Sequence, residues 1–67
     1  MSTYRVALGM SSDIMAPFIY MERTDDLGTA QIRATSIIEL PGVTKAIVQE
    51  LTATDPEEVW TDLETYE

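Results

Sequence analysis

The sequence has no cysteine and no histidine among its 67 residues, and only four of its side chains are basic. The missing cysteine excludes a disulfide framework, a thiol nucleophile and a zinc knuckle, and the missing histidine excludes an imidazole base and the commonest transition-metal ligand. The four cations face twelve acids, which gives a net charge of −8. So few cations cannot neutralise many nucleic-acid phosphates, and an anionic membrane surface would repel the chain. We therefore expect neither direct nucleic-acid binding nor membrane binding.

Long hydrophobic runs are missing as well. No stretch approaches the roughly 20 apolar residues that a membrane span needs, and residues 1–5 lack the apolar character of a signal peptide. The composition is nevertheless 45% hydrophobic, which is too apolar for a disordered acidic tail. A chain of this length suffices for one small domain. We expect a single domain over residues 1–67 that acts in the cytoplasm.

Alternating residues in the first half predict three antiparallel strands. Residues 3–8 alternate between apolar and more polar side chains, which predicts a first strand, and residues 9–17 are typical of a connection. Aromatic and branched residues at 18–21 open a second strand. The run Asp-Asp-Leu-Gly at 25–28 predicts a tight turn, and the alternation over 30–35 predicts a third strand that closes a hairpin.

The pattern of apolar residues in the second half of the sequence predicts the main helix. Val43, Ile47 and Leu51 recur at positions i, i+4 and i+8, which predicts a helix over 41–52 packed on the sheet. Ser-Ile-Ile-Glu at 36–39 fits a capping box and predicts a short turn before that helix.

The last segment allows two structures. Asp-Pro-Glu-Glu at 55–58 is typical of a helix start, and we predict a second helix from there. The branched and aromatic residues of 59–66 favour a fourth strand as the alternative. We expect Trp60 to fill the core rather than to anchor an interface. Either structure gives an α+β domain, and we predict a three-stranded antiparallel sheet packed against one main helix, with the last segment as a second helix or, as the alternative, a fourth strand.

Paired carboxylates are the only candidates for catalysis. Asp25-Asp26, Glu57-Glu58 and the pair Asp62 and Glu64 could transfer protons or hold Mg²⁺ or Ca²⁺. The spacing around Asp25 is too short for an EF-hand loop and favours a structural turn, and so short a chain offers little material to wall a cleft. We expect no enzymatic activity, no metal site and no cofactor.

Acidic residues concentrate at one end of the sequence. Residues 55–67 hold six acids and no base, and so contribute three quarters of the net charge of −8. A folded segment of this kind can present a phosphate-like field to a basic groove, although it can also serve only as a solvated surface. We predict an acidic protein-binding face made of Asp55, Glu57, Glu58, Asp62, Glu64 and Glu67, together with Asp25 and Asp26.

The segments 4–10 and 59–64, Tyr-Arg-Val-Ala-Leu-Gly-Met and Val-Trp-Thr-Asp-Leu-Glu, resemble small acidic phage-encoded anti-CRISPR proteins of type I, in particular type I-C. The resemblance is one of the whole chain rather than of a single motif. It implies a phage protein that acts as a monomer in the host bacterial cell, binds the RNA-guided surveillance complex (Cascade) and keeps target DNA from its basic channel.

The sequence is also compatible with two other functions. One is an acidic protein–protein binding module, such as an antitoxin or adaptor, that uses Trp60 or an exposed strand edge. The other is a small enzyme or metal-binding domain built on the paired carboxylates. The net charge predicts a monomer, because like charges oppose self-association.

Overall fold

The computed structural model describes residues 2–10 and 18–67. Along the chain, the elements are β1 (Tyr4–Met10), β2 (Ile19–Tyr20), α1 (Leu27–Ile37), β3 (Val43–Ala53) and β4 (Val59–Tyr66). The strands form one antiparallel sheet in the order β2-β1-β3-β4. Helix α1 packs on one face of that sheet, against β1 and β3. The predicted α+β class is therefore confirmed; of the predicted connection at 9–17, residues 11–17 lie outside the described part of the chain.

The core lies between α1 and the centre of the sheet. Ala30 and Ala34, one helical turn apart, are completely buried against Val6, Ala46 and Val48. Small alanine side chains let the helix approach the strands closely, and the largest fully buried side chains are valines. Because each buried valine contributes only about 1.5–3 kcal/mol, this core stabilises the fold modestly.

The third strand predicted at 30–35 is wrong, because these residues belong to α1. Ala30 and Ala34 are four residues apart, which is twice the two-residue period of a strand and also about one turn of a helix, so their spacing fits both structures. Ile32 distinguishes them: it would share the alanines' face in a strand, but it is 68% exposed. The predicted hairpin turn is instead the helix start, where the Asp26 side chain accepts hydrogen bonds from the Thr29 N–H and hydroxyl.

The main helix predicted at 41–52 is also wrong, because the segment forms β3. Val43, Ile47 and Leu51 are spaced by four, which is a multiple of the two-residue period of a strand. Their region is rich in branched residues, which fit a pleated sheet. The predicted capping box at 36–39 does not form before a helix; Ser36 lies in the last turn of α1, and its carbonyl accepts from the Glu39 N–H at 3.4 Å.

The second helix predicted at the end of the chain is wrong, and the alternative of a fourth strand is right. Strand β4 pairs along β3, with Glu64 opposite Val48 and Asp62 opposite Gln49. This register shift leaves Leu63 as an extra residue in a β-bulge. A helix would have placed the terminal acids at the negative end of its dipole, whereas a strand carries no such penalty.

The face of the sheet opposite α1 is called the outer face here. Val6 and Val48 point towards the helix, so their neighbours Arg5 and Gln49 point to the outer face. Trp60, partly buried, also lies there, because its ring contacts Arg5. The prediction that Trp60 fills the core is therefore wrong, because the core cluster lies on the other face of the sheet, against α1.

Candidate protein-binding site

Five of the eight predicted acids lie at one end of the sheet. Strand pairing puts Tyr4 opposite Glu50 and beside Thr24, and it puts Leu51 opposite Trp60. The start of β1, the end of β3 and the start of β4 therefore meet at this end, which we call the turn end. The loops that meet there carry Asp25, Asp26, Asp55, Glu57 and Glu58, all of them exposed.

The other three predicted acids follow β4 away from the turn end. Asp62 lies opposite Gln49 near the middle of the sheet, Glu64 lies opposite Val48, and Glu67 follows the last residue of the strand. Asp62 shares the outer face with Gln49, whereas Glu64 is directed towards the helix. The structure thus spreads the predicted acidic face over a turn and an edge strand rather than one plane.

Internal partners hold four of the eight carboxylates in place. The Arg23 Nη2 donates to Glu58 Oε1 at 2.7 Å, and the Gln49 amide donates to Asp62 at 2.8 Å. Glu64 accepts from the Gln31 amide at 2.6 Å and from the Tyr66 hydroxyl. The fourth is Asp26, the helix cap. Within residues 2–10 and 18–67, no side-chain hydrogen bond or salt bridge engages the carboxylates of Asp25, Asp55, Glu57 and Glu67.

Hydrogen bonds lower the pKa of three carboxyls of the predicted face, Glu58, Glu64 and Asp26. The hydrogen bond from Arg23 lowers the pKa of Glu58, and those from Tyr66 and Gln31 lower the pKa of Glu64. Hydrogen bonds from Thr29 lower the pKa of Asp26. Donors that favour the charged form keep these groups ionised to lower pH. The negative charge at these positions is therefore maintained under mildly acidic conditions.

An arginine stacked between aromatic rings dominates the outer face. The guanidinium carbon of Arg5 lies 3.8 Å from the centre of the Tyr20 ring and 4.0 Å from that of the Trp60 ring. The guanidinium carbon of Arg23, which also binds Glu58, lies 5.2 Å from the Trp60 ring. We call Arg5, Arg23, Tyr20, Trp60 and Glu58 the arginine–aromatic cluster.

The cluster and its neighbours connect all four strands. Tyr20 belongs to β2, Arg5 to β1 and Trp60 to β4, and the Arg5 Nε donates to Gln49 Oε1 on β3 at 2.7 Å. Gln49 in turn donates to Asp62, so a chain of hydrogen bonds runs from β1 to the edge strand. Partial burial lowers the pKa of Arg5 from its usual value. The sequence indicated Arg5 only as a residue on the polar face of a strand and gave no signal for its aromatic partners.

A shallow apolar depression lies on the opposite side of the molecule, along α1. It has a volume of about 310 Å³ and is lined by Met21, Ile32, Arg33, Ser36, Ile37 and Leu40. Ile32 and Leu40 are exposed, and Arg33 donates to the Glu22 carbonyl at 3.0 Å. This depression holds none of the predicted acids.

No family model matches the sequence, and no match is found among curated proteins or solved structures. In the described ranges 2–10 and 18–67, no group of three or more acidic side chains is placed so that it could hold a metal ion. Over those same ranges, no helix has the length and apolar character to cross a membrane.

Proposed function

We propose that this protein is a non-enzymatic inhibitor of a type I CRISPR–Cas surveillance complex (Cascade). It acts as a monomer in the cytoplasm of a host bacterium, binds a basic DNA-binding surface through its acidic face and blocks recognition of target DNA. One observation carries the proposal: the six acids of residues 55–67 lie on a turn, on an edge strand and directly after that strand, and in the described part of the chain only Glu58 among them forms a salt bridge. The resemblance to type I anti-CRISPR proteins supports the same function.

The hairpin of β3 and β4 holds these charges in a defined arrangement. Eight residues of β4 span about 26 Å, at about 3.3 Å per residue. Because β3 fixes the backbone of β4, a partner can meet the acids without the ordering cost that a flexible tail carries. On the extended part of the segment, Asp62, Glu64 and Glu67 follow one another at two and three residues, or roughly 7–10 Å, against 3.4 Å per phosphate in one DNA strand. The field is weaker than that of DNA, so we expect it to act chiefly on the association rate and on specificity.

A charge reversal at the turn tests this function. Asp55 and Glu57 are suitable because, within the described chain, neither carboxylate has an internal partner whose loss would disturb the fold. The double variant Asp55→Lys and Glu57→Lys should inhibit DNA binding by purified type I-C Cascade at least tenfold less well than the original protein. The measurement is an electrophoretic mobility shift titration at two salt concentrations, and inhibition should weaken steeply as salt rises.

A matched control separates position from net charge. Glu22 and Glu39 are exposed acids outside the predicted face, and reversing both changes the net charge by the same amount. This variant should inhibit nearly as well as the original protein. If the two variants inhibit equally well, or if both lose inhibition to the same extent, the acidic turn is not the contact.

The outer face favours a second candidate function, that of an antitoxin or adaptor. Trp, Tyr and Arg are the residue types enriched in interface hot spots, and Tyr20 is 53% exposed beside the half-buried Trp60. A complex centred on these rings should keep its affinity as salt rises, unlike one driven by charge. Retained affinity at high salt, together with loss of binding on Trp60→Leu, would favour this second function.

A further inference from the structure

The outer edge of β4 carries backbone groups without a strand partner. In the described sheet, β4 is the last strand and pairs only with β3. The Leu51 N–H donates to the Thr3 carbonyl at 2.8 Å, so Leu51 directs its backbone groups towards β1 rather than β4. Backbone groups alternate along a strand, and Trp60 and Thr65 lie opposite residues that face β1. Their N–H and C=O groups therefore point away from β3.

We propose that this edge binds an extended segment of the partner that carries basic side chains, which adds a strand to the sheet. The inference rests on the proposed function and names how the basic surface is engaged. Main-chain hydrogen bonds to an exposed edge supply affinity in this mode of recognition, and side chains supply specificity.

The acidic side chains on and after β4 favour a basic strand as the binding partner of this edge. Asp62 and Glu64 lie on the strand and Glu67 follows it, and residues 55–67 contain no base. Asp62 lies on the outer face and Glu64 on the helix side, so lysine or arginine at alternate positions of an incoming strand would form a favourable cross-strand pair with Asp62. Val59 and Leu63 are 49% and 42% exposed on the same strand, so apolar side chains between the basic ones would also find contacts. The expected occupant is an extended segment in which basic and apolar residues alternate.

The same charges argue against a second copy as the occupant. Two β4 strands in antiparallel pairing could bring acids only against acids or neutral residues, and like charges directly opposite each other are destabilising. The β-bulge at Leu63 twists the edge and hinders pairing with strands that do not match it. The charges therefore protect the edge from self-association and leave it open to a basic strand.

A synthetic peptide tests the edge directly. The probe is acetyl-Lys-Val-Lys-Thr-Lys-Val-amide, compared with its Glu-for-Lys counterpart and with a lysine peptide N-methylated at alternate residues. By NMR titration, the lysine peptide should shift the Trp60 and Thr65 amides and slow their hydrogen exchange, and the glutamate peptide should do neither. The N-methylated peptide keeps every charge but loses donors, so it should bind at least tenfold more weakly. Equal binding of both lysine peptides, or no binding of the lysine peptide at millimolar concentration, would overturn the proposal.

The variant Thr65→Pro tests edge pairing in the complex with Cascade. Thr65→Pro removes one outward N–H and changes no charge, and proline is tolerated on an edge strand whose N–H faces outward. It should lower the inhibition of Cascade about tenfold and keep the circular dichroism spectrum of the original protein. A folded Thr65→Pro protein that inhibits fully would refute edge pairing and leave the acidic face intact as the contact. If the proline variant unfolds, the N-methylated peptide still decides the question.

Discussion

Replacing Arg5 by lysine tests whether the arginine–aromatic cluster stabilises the fold. Lysine keeps the positive charge, but it has no planar group to lie between Tyr20 and Trp60 and no Nε to donate to Gln49. Each ring contact at a partly exposed site is worth about 0.5–1 kcal/mol, and the net contribution of the hydrogen bond is of similar size. The ammonium group recovers part of the attraction to both rings. We therefore expect Arg5→Lys to lower the free energy of unfolding by about 1–2 kcal/mol.

Urea denaturation at pH 7, followed by far-ultraviolet circular dichroism, measures this loss. The midpoint should fall while the slope stays constant, and Tm should drop by about 4–8 °C for each kcal/mol lost in a domain of this size. Arg33→Lys is the matched control. Arg33 also donates a hydrogen bond, to the Glu22 carbonyl, but it lies on α1 outside the arginine–aromatic cluster. The control should change stability by less than about 0.5 kcal/mol. An unchanged midpoint for Arg5→Lys would refute the reasoning.

A double-mutant cycle assigns the loss to stacking. Trp60→Leu removes one of the two rings, and Arg5→Lys should cost less in that background than in the original protein. The coupling should be about 0.5–1 kcal/mol, the size of one cation–π contact. Additive effects of the two substitutions would mean that Arg5 stabilises the sheet through Gln49 rather than through the indole.

Two further predictions concern the core and the edge strand. Val48→Ala should lower the free energy of unfolding by about 2–3 kcal/mol, since it removes two methyl groups from a fully buried site; a thermal midpoint like the original would contradict this. Tyr66→Phe should raise the pKa of Glu64 towards its ordinary value in an NMR titration of the side-chain carboxyl carbon. Because the folded-state pKa of Glu64 is lowered, the stability lost in Tyr66→Phe should be full above its unfolded pKa, near 4.5, and disappear as the pH falls through the folded value. A stability difference independent of pH would show that the hydroxyl acts on packing alone.

The fold class was predictable from the sequence, but the assignment of helix and strands was not. Residues spaced by four satisfy both the period of a helix and that of a strand, and the spacing of Val43, Ile47 and Leu51 predicted a helix where β3 lies. The alternation of Ala30, Ile32 and Ala34 predicted a strand where α1 lies. Local residue preferences favour the observed structures in both segments, since alanine favours helices and branched residues such as valine, isoleucine and threonine favour strands.

The candidate site was predictable only as a set of charges. The uncompensated acids of 55–67 are a property of composition, and their place on a turn and an edge strand needed the pairing of β4 with β3. The contacts of Arg5 with Tyr20 and Trp60 join three strands that are far apart in sequence. Local patterns carry no information on such contacts, because they depend on strand order.

The internal partners divide the predicted acids into those that are free to bind and those that are held. The Arg23–Glu58 pair is exposed at 53% and 42% of its two side chains, so solvent screens it and it contributes little to stability; its main effect is to fix Glu58 beside Trp60. A partner's lysine would have to compete with Arg23 for that carboxylate. No such competition is expected at Asp55 and Glu57, whose carboxylates have no internal partner in the described chain. The strongest effects of charge reversal on binding should therefore fall on these unpaired acids of the turn, and reversal of Glu58 should chiefly release Arg23.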